Sequence, residues 1–391
     1  MDVEIAEGRD VLDAVAAFAA RPEIAVAEAN TFGAYALIPN DTLYGSEWHL
    51  PQMQVDDAWD VTTGSTQIVV AVLDSGTEFT HEDLGLGVDG YRNVWLNPGE
   101  DAWSDPTNPA TGNGVDDDGN GFIDDWQGWD FNNGNNDPAG TFFHGTAVAG
   151  VISAKTNNNR GVAGVAGGNG APGVKVLLAG VGDSAPNGAI LDDAILYAAD
   201  SGARIIQLSL TVGQSSAIDA ALAMAYDTFG LTIICSSGNG GTSSVGYPSS
   251  DSHVMAIGST GMTDQKSSFS QYGVLLELAA PGEGIWMLDL NDGYGPSSGT
   301  SFSSPNTSGT AALVLSLAPT MTNAQLRQLL HDTAAKVGGY NYNWNPGMPG
   351  HSMELGYGRV DALAAVQAVQ APIFEDGFES GDTSAWTTSA P

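Results

Sequence analysis

The chain has 391 residues, with 46 Asp and Glu against 11 Lys and Arg, for a formal charge of −35. Such an acidic surface disfavours nucleic-acid binding through phosphate contacts and favours divalent cations and solubility, including in salty water. A single cysteine, Cys235, excludes an intramolecular disulfide, and no stretch is apolar for the length of a membrane span.

With 42% hydrophobic residues the chain can bury the core of one large α/β domain with small appendages. Residues 11–20 have helical patterning, with Val11, Val15 and Phe18 on one face, and 24–30 read as a strand. Continuous apolar, β-branched runs then predict buried strands at 68–73, 174–179, 204–208, 231–235, 254–258 and 276–280. Helices are predicted at 144–154, 191–199, 217–229, 301–317, 322–335 and 361–369, with Thr322 and Gln325 forming a capping box. This alternation predicts an α/β fold, a doubly wound, mostly parallel sheet flanked by helices. The final stretch, 371–391, is acidic, aromatic and without a period: a flexible extension, a sorting tail or the opening of a further module.

Four segments carry chemistry. Gly299-Thr300-Ser301-Phe302-Ser303-Ser304-Pro305 places a Ser hydroxyl at the start of a buried helix. There the free N–H groups and the helix dipole stabilise an oxyanion. Asp74-Ser75-Gly76 ends the strand at 68–73, where open α/β sheets place their sites. His144-Gly145-Thr146-Ala147-Val148-Ala149-Gly150 opens a helix whose small residues permit close packing. In Gly238-Asn239-Gly240 an amide between glycines follows a strand and can donate into a cleft. Each alone reads equally well as a cap, a turn or a structural histidine.

Together, in the order Asp, His, Ser, these segments resemble the subtilisin-like serine proteases, the subtilases, from about residue 40 to 370. Two motif positions differ: Ala147 stands where the family has a second His, and Phe302 where it has Met. Neither is a reacting group, so the departures bear on local packing. The resemblance implies that Ser301 attacks a peptide carbonyl, His144 relays the proton and Asp74 orients the imidazole. Asn239 and the Ser301 N–H would hold the oxyanion. Protein or peptide substrates would add as a strand along Gly180 and Val181 on one side and Ser209, Leu210 and Thr211 on the other. Ser237 and Gly238 would border a pocket for large apolar or aromatic side chains.

The resemblance divides the chain into a partial propeptide-like segment (1–38), a peptidase domain (39–370) and the tail. Residues 1–38 match the C-terminal half of a family propeptide, or form a small extension packed on the domain. Secretion is implied, yet Met1-Asp2-Val3-Glu4 shows no basic region or apolar core of a signal peptide. The expectation is a sequence that starts late, through truncation or a shortened gene. Secreted calcium-binding or adhesive function on an inactive fold, and esterase or ligase chemistry, are the competing classes; the intact Asp74, His144, Asn239 and Ser301 argue against the first.

A long acidic insertion, about 97–138, separates the Asp and His motifs. Asp116, Asp118, Asn120, Phe122 (through its carbonyl) and Asp124 follow the ligand spacing of an EF-hand loop, with Gly121 at the sharp turn. The terminal Glu is missing, so Asp125 or Asp130 must complete the calcium shell; a solvated acidic loop is the alternative. By resemblance only, a second calcium site is implied at Asp41, Asp83 and Asn158, with carbonyls of Thr156, Arg160 and Val162. The Asn-rich stretch 157–159 reads equally as an ordinary turn.

Overall fold

Val69–Asp74 (β1) consists of six buried residues, apolar up to the final Asp. It pairs in parallel on one side with β3 (Lys175–Gly180) and on the other with β4 (Ile205–Leu208). The sheet continues through β5 (Thr232–Ser236), β6 (Val254–Thr260) and β7 (Leu278–Pro281), and ends beyond β3 with β2 (Trp129–Asp130). The order is β2-β3-β1-β4-β5-β6-β7, with every pairing parallel. The structure, a computed structural model, describes residues 37–85 and 90–369. The expected helix at 11–20, the strand at 24–30 and the tail at 371–391 lie outside the described residues.

Both faces of the sheet are covered, as buried parallel strands require. Val69, Ala71 and Leu73 pack with Leu191, Ala194 and Ile195 of α4 (Leu191–Asp200) and with Ile218 and Leu222 of α5 (Ser216–Ala223). The alternate strand residues face α3 (His144–Ser153) and α6 (Thr300–Leu317), which pack on each other. Helix α6 is buried from Thr300 through Leu315 despite its many hydroxyls. Several of those hydroxyls are satisfied internally: Thr310 Oγ1 donates to Asn306 O (3.1 Å) and Ser308 Oγ to Gln207 Oε1 (2.6 Å), while among the described residues Ser303 Oγ is buried without a partner. Among the described residues, no helix is long and apolar enough to cross a membrane.

The predicted sheet strands are found with ends shifted by a residue or two. The predicted helix at 217–229 is instead α5 followed by a wider π-type turn, Met224–Thr228. Two short helices, α1 (His49–Gln52) and α2 (Val55–Ala58), precede the sheet. An antiparallel hairpin, β8 (Ile285–Asp289) and β9 (Gly293–Ser297), was not anticipated. Its signal is Asn291-Asp292-Gly293, with φ of 60° and 55° at the first two, the backbone of a tight hairpin turn.

Helix α7 (Asn323–Thr333) carries the expected capping box. It is tied to the sheet by Glu277, which pairs with Arg327 and accepts from His331 Nε2 at 2.8 Å. Burial pushes the Glu277 carboxyl up, but His331 and Arg327 outweigh it and hold the group below its usual range. A carboxyl lowered in the folded state contributes stability above its unfolded pKa, and loses it as pH falls through the folded value. Glu277→Gln should therefore cost about 2–3 kcal/mol at pH 7 and much less in acid, because it removes one partner of a part-buried pair. Urea melts at both pH values measure this.

Candidate active site

Asp74 is held at the C-terminal end of β1, 6% exposed. Its Oδ1 accepts from Ser75 N and from His144 Nδ1, both at 2.7 Å. Among the described residues its Oδ2 is buried without a partner. Burial opposes the imidazolium form of His144, but the charge and hydrogen bond of Asp74 outweigh it and raise the pKa.

The contact depends on close backbone approach. Ser75 Oγ donates to Phe142 O and accepts from Gly145 N, stitching β1 to the start of α3. A Cβ at Gly145 would clash with Gly76 O and lie 3.2 Å from Asp74 Cβ. Gly145→Ala should push α3 off Asp74 and lower kcat/KM by about 10²-fold, as ångström-scale misplacement does. Steady-state kinetics on folded variant checks it.

Ser301 is the second residue of α6, so its N–H has no partner within the helix. Pro305, four residues on, has no N–H for Ser301 O, and that carbonyl accepts from Ser209 Oγ instead (2.7 Å). Ser301 Oγ makes only a long bond to Ser209 O, 3.4 Å. Asn239 Oδ1 accepts from Thr300 N and Thr300 Oγ1, both at 2.9 Å. Because a backbone N–H can only donate, these bonds fix the amide orientation and leave its NH₂ for the cleft.

Asp74, His144, Asn239 and Ser301 line one cleft of about 230 Å³. Ser209, Leu210, Thr211 and Gly238 line it too. Gly180, Val181 and Ser237 lie behind its wall. Gly180 is an interior strand residue, in register between Asp74 and Asp130, so its backbone is already paired. Val181 belongs to the core, and Ser237 is fully buried. The rim on that side is the turn at 182–186.

The sequence matches the Subtilase family over residues 65–358. The chain belongs to the subtilase family. It is similar to the thermophilic serine proteinase of Bacillus sp. (strain AK1), at 33% identity over 88% of this chain and 73% of that protein. Thermitase of Thermoactinomyces vulgaris is 32% identical, over 84% of this chain and 99% of thermitase. The halolysin-like extracellular serine protease Nep of Natrialba magadii is 34% identical, over 88% and 56%. This subtilase is a serine-type endopeptidase with the expected α/β fold.

In the subtilase's acidic insertion, carboxylate oxygens of Glu100, Asp118 and Asp125 lie within 4.8 Å of one another. Asn97 Nδ2 donates to Asp118 Oδ2 (2.9 Å) and Asp125 Oδ1 (2.8 Å), and Asn120 Nδ2 to both carboxylates at 3.2 Å. Burial raises the carboxyls of Asp125 and Glu100. Asp124 turns both oxygens to Asn113 N and Gly114 N, Asp116 accepts from Asn120 N and Gly121 N, and the Phe122 ring joins Trp129, Phe131 and Tyr197. Glu100 was missed because it approaches from a separate turn; no local spacing marks it.

Asp41, Asp83 and Asn158 also come together. Asn158 Nδ2 donates to Asp83 Oδ1 (2.6 Å), and Asp41 accepts from Asn157 N (2.7 Å) and Asn158 N (3.4 Å). Burial pushes Asp41 up to about 6 and Asp83 to about 7. Glu47, not singled out from the sequence, is a third buried carboxyl here, raised by burial and by its acidic neighbours.

Proposed function

We propose that this subtilase is a secreted, calcium-stabilised endopeptidase that cleaves peptide bonds through Asp74, His144 and Ser301. The observation that carries the reading is the 2.7 Å Asp74–His144 bond opening onto the cleft that Ser301 and Asn239 share. His144 Nε2 takes the Ser301 proton as Oγ attacks the scissile carbonyl, forming the acyl-enzyme through a tetrahedral intermediate. The same proton then goes to the leaving amine, and water repeats the sequence to release the acid. The long Ser301–Ser209 bond is weak enough to be exchanged for one to His144. Asp74 holds the Nδ1–H tautomer. Asn239 NH₂ and the Ser301 N–H face the oxyanion, and Asn239→Ala should lower kcat by about 10²–10³-fold, the size such a deletion has in subtilisin.

Substrate strands would lie between residues 209–211 and the 182–186 rim, whose lining offers no Lys or Arg and suits apolar side chains before the cut. Residues 1–38 are read as a propeptide-like partner of the cleft. Secretion draws support from relatives described as extracellular. Calcium fits the hard oxygen donors of Glu100, Asp118 and Asp125, where Glu100 Oε2 is buried without a partner among the described residues. Asp41, Glu47, Asp83 and Asn158 offer a second cradle. The ion supplies charge neutralisation and rigidity, and takes no part in the bond-breaking step.

A fluorophosphonate probe on the calcium-loaded protein tests the reading. Labelling at Ser301, absent in Ser301→Ala, supports it; an unlabelled Ser301 in folded protein with an open cleft refutes it.

A further inference from the structure

The two positions that depart from the family motifs meet in the structure. Ala147, one turn after His144 on α3, and Phe302 on α6 share a buried cluster with Val151, Ile285 and Met287, with Phe143 packed against it. The Phe302 ring centroid lies 5.7 Å from that of His144, inclined at 47°. Phe143 meets the imidazole at 6.2 Å and 73°, and Phe142, which lines the cleft, lies nearly parallel to it at 6.4 Å and 13°. Three aromatic rings thus surround an imidazole whose side chain is 20% exposed and tied to Asp74 at one nitrogen.

A ring held by one hydrogen bond can still swing about that bond. Rings packed on it restrict the swing, and their electron-rich faces attract a cation. The imidazole becomes a cation each time it takes the Ser301 proton. We propose that Phe142, Phe143 and Phe302 form an aromatic clamp that positions His144 and favours its imidazolium, with Ala147 kept small to admit Phe302. The proposal rests on His144 being the base. The three phenylalanines are positioning residues that act through it. Among the described residues, the charged groups facing the site are Asp74 and, on the rim, Asp183; the buried side, with Ile285, Met287 and Phe302, brings none.

The test is the rate of fluorophosphonate labelling against pH, in calcium-loaded protein, beside the melting temperature. Phe142→Leu, on the cleft side, should slow labelling about 3–10-fold at neutral pH and move the acid limb to lower pH, because the imidazolium loses an aromatic face. Phe142→Tyr should restore both. Phe302→Leu should act in the same direction and also lower the melting temperature. Adding Ala147→Val refills the volume without an aromatic face, so stability should recover while the acid limb stays shifted. If the limb returns together with stability, or if neither Leu variant moves it, Phe302 and Phe142 are packing alone and the clamp is wrong. If the parent is not labelled at Ser301, the assignment of His144 as base fails and the clamp with it. Labelling of the parent with unshifted variants overturns only the clamp.

Discussion

Ser301→Ala should lower kcat on a peptide amide by about 10⁶-fold, the size of the loss when nucleophile or base is removed from subtilisin. On the proposed mechanism the hydroxyl is the reacting atom that α6 delivers to the cleft, and Ala at this position removes it with little change to its surroundings. Ser301 O would still accept from Ser209 Oγ, and Asn239 would still be held by Thr300. The melting temperature should therefore stay within a degree or two. Residual hydrolysis above the rate in water would come from the oxyanion donors and binding. Adding His144→Ala should then cost little more, because the pair works as one unit. A Ser301→Ala enzyme that keeps more than a thousandth of the parent rate would place the nucleophile elsewhere.

Chelation of calcium should lower the melting temperature by about 10 °C. Glu100, Asp118 and Asp125 crowd three carboxylates into one small volume, and Asp41, Glu47 and Asp83 bury three more. Without a cation each group repels its neighbours in a medium that screens poorly. A metal present at a thousand times its Kd stabilises the folded state by about 4 kcal/mol per site. With two sites, and a shift of one to two degrees per kcal/mol in a domain of this size, the total reaches about 10 °C. Scanning calorimetry with and without chelator measures it. Glu100→Gln should remove part of the calcium response and leave the part owed to Asp41 and Asp83. An unchanged melting temperature in chelator would remove calcium from the account.

The residues of the candidate cleft were legible because their geometry is written locally. A strand buried on both faces must be apolar to its end, so Asp74 closing the run 68–73 marks the rim of the sheet. The glycines of Asp74-Ser75-Gly76 and His144-Gly145 record a backbone contact that side chains would prevent. What depends on separate segments meeting was not legible. Glu100 reaches Asp118 and Asp125 from a turn outside the acidic run. The cleft is lined by 182–186 and not by Gly180 and Val181 because parallel pairing extends to the end of β3. The β8–β9 hairpin escaped because β9, Gly293-Tyr294-Gly295-Pro296-Ser297, has the composition of a loop, although Asn291-Asp292-Gly293 announces the turn. Ala147 and Phe302 look like two unrelated departures in sequence, and only the packing of α3 against α6 shows them to be neighbours.

The order of the chain also bears on when the proposed triad is complete. Asp74 ends β1, third in the order of the sheet, and Ser301 follows β4, β5, β6 and β7 in the chain. A chain emerging from synthesis therefore carries Asp74 and His144 before Ser301, the proposed nucleophile, has been added. On the proposed mechanism the triad is complete only in a chain that already carries every strand of the parallel sheet.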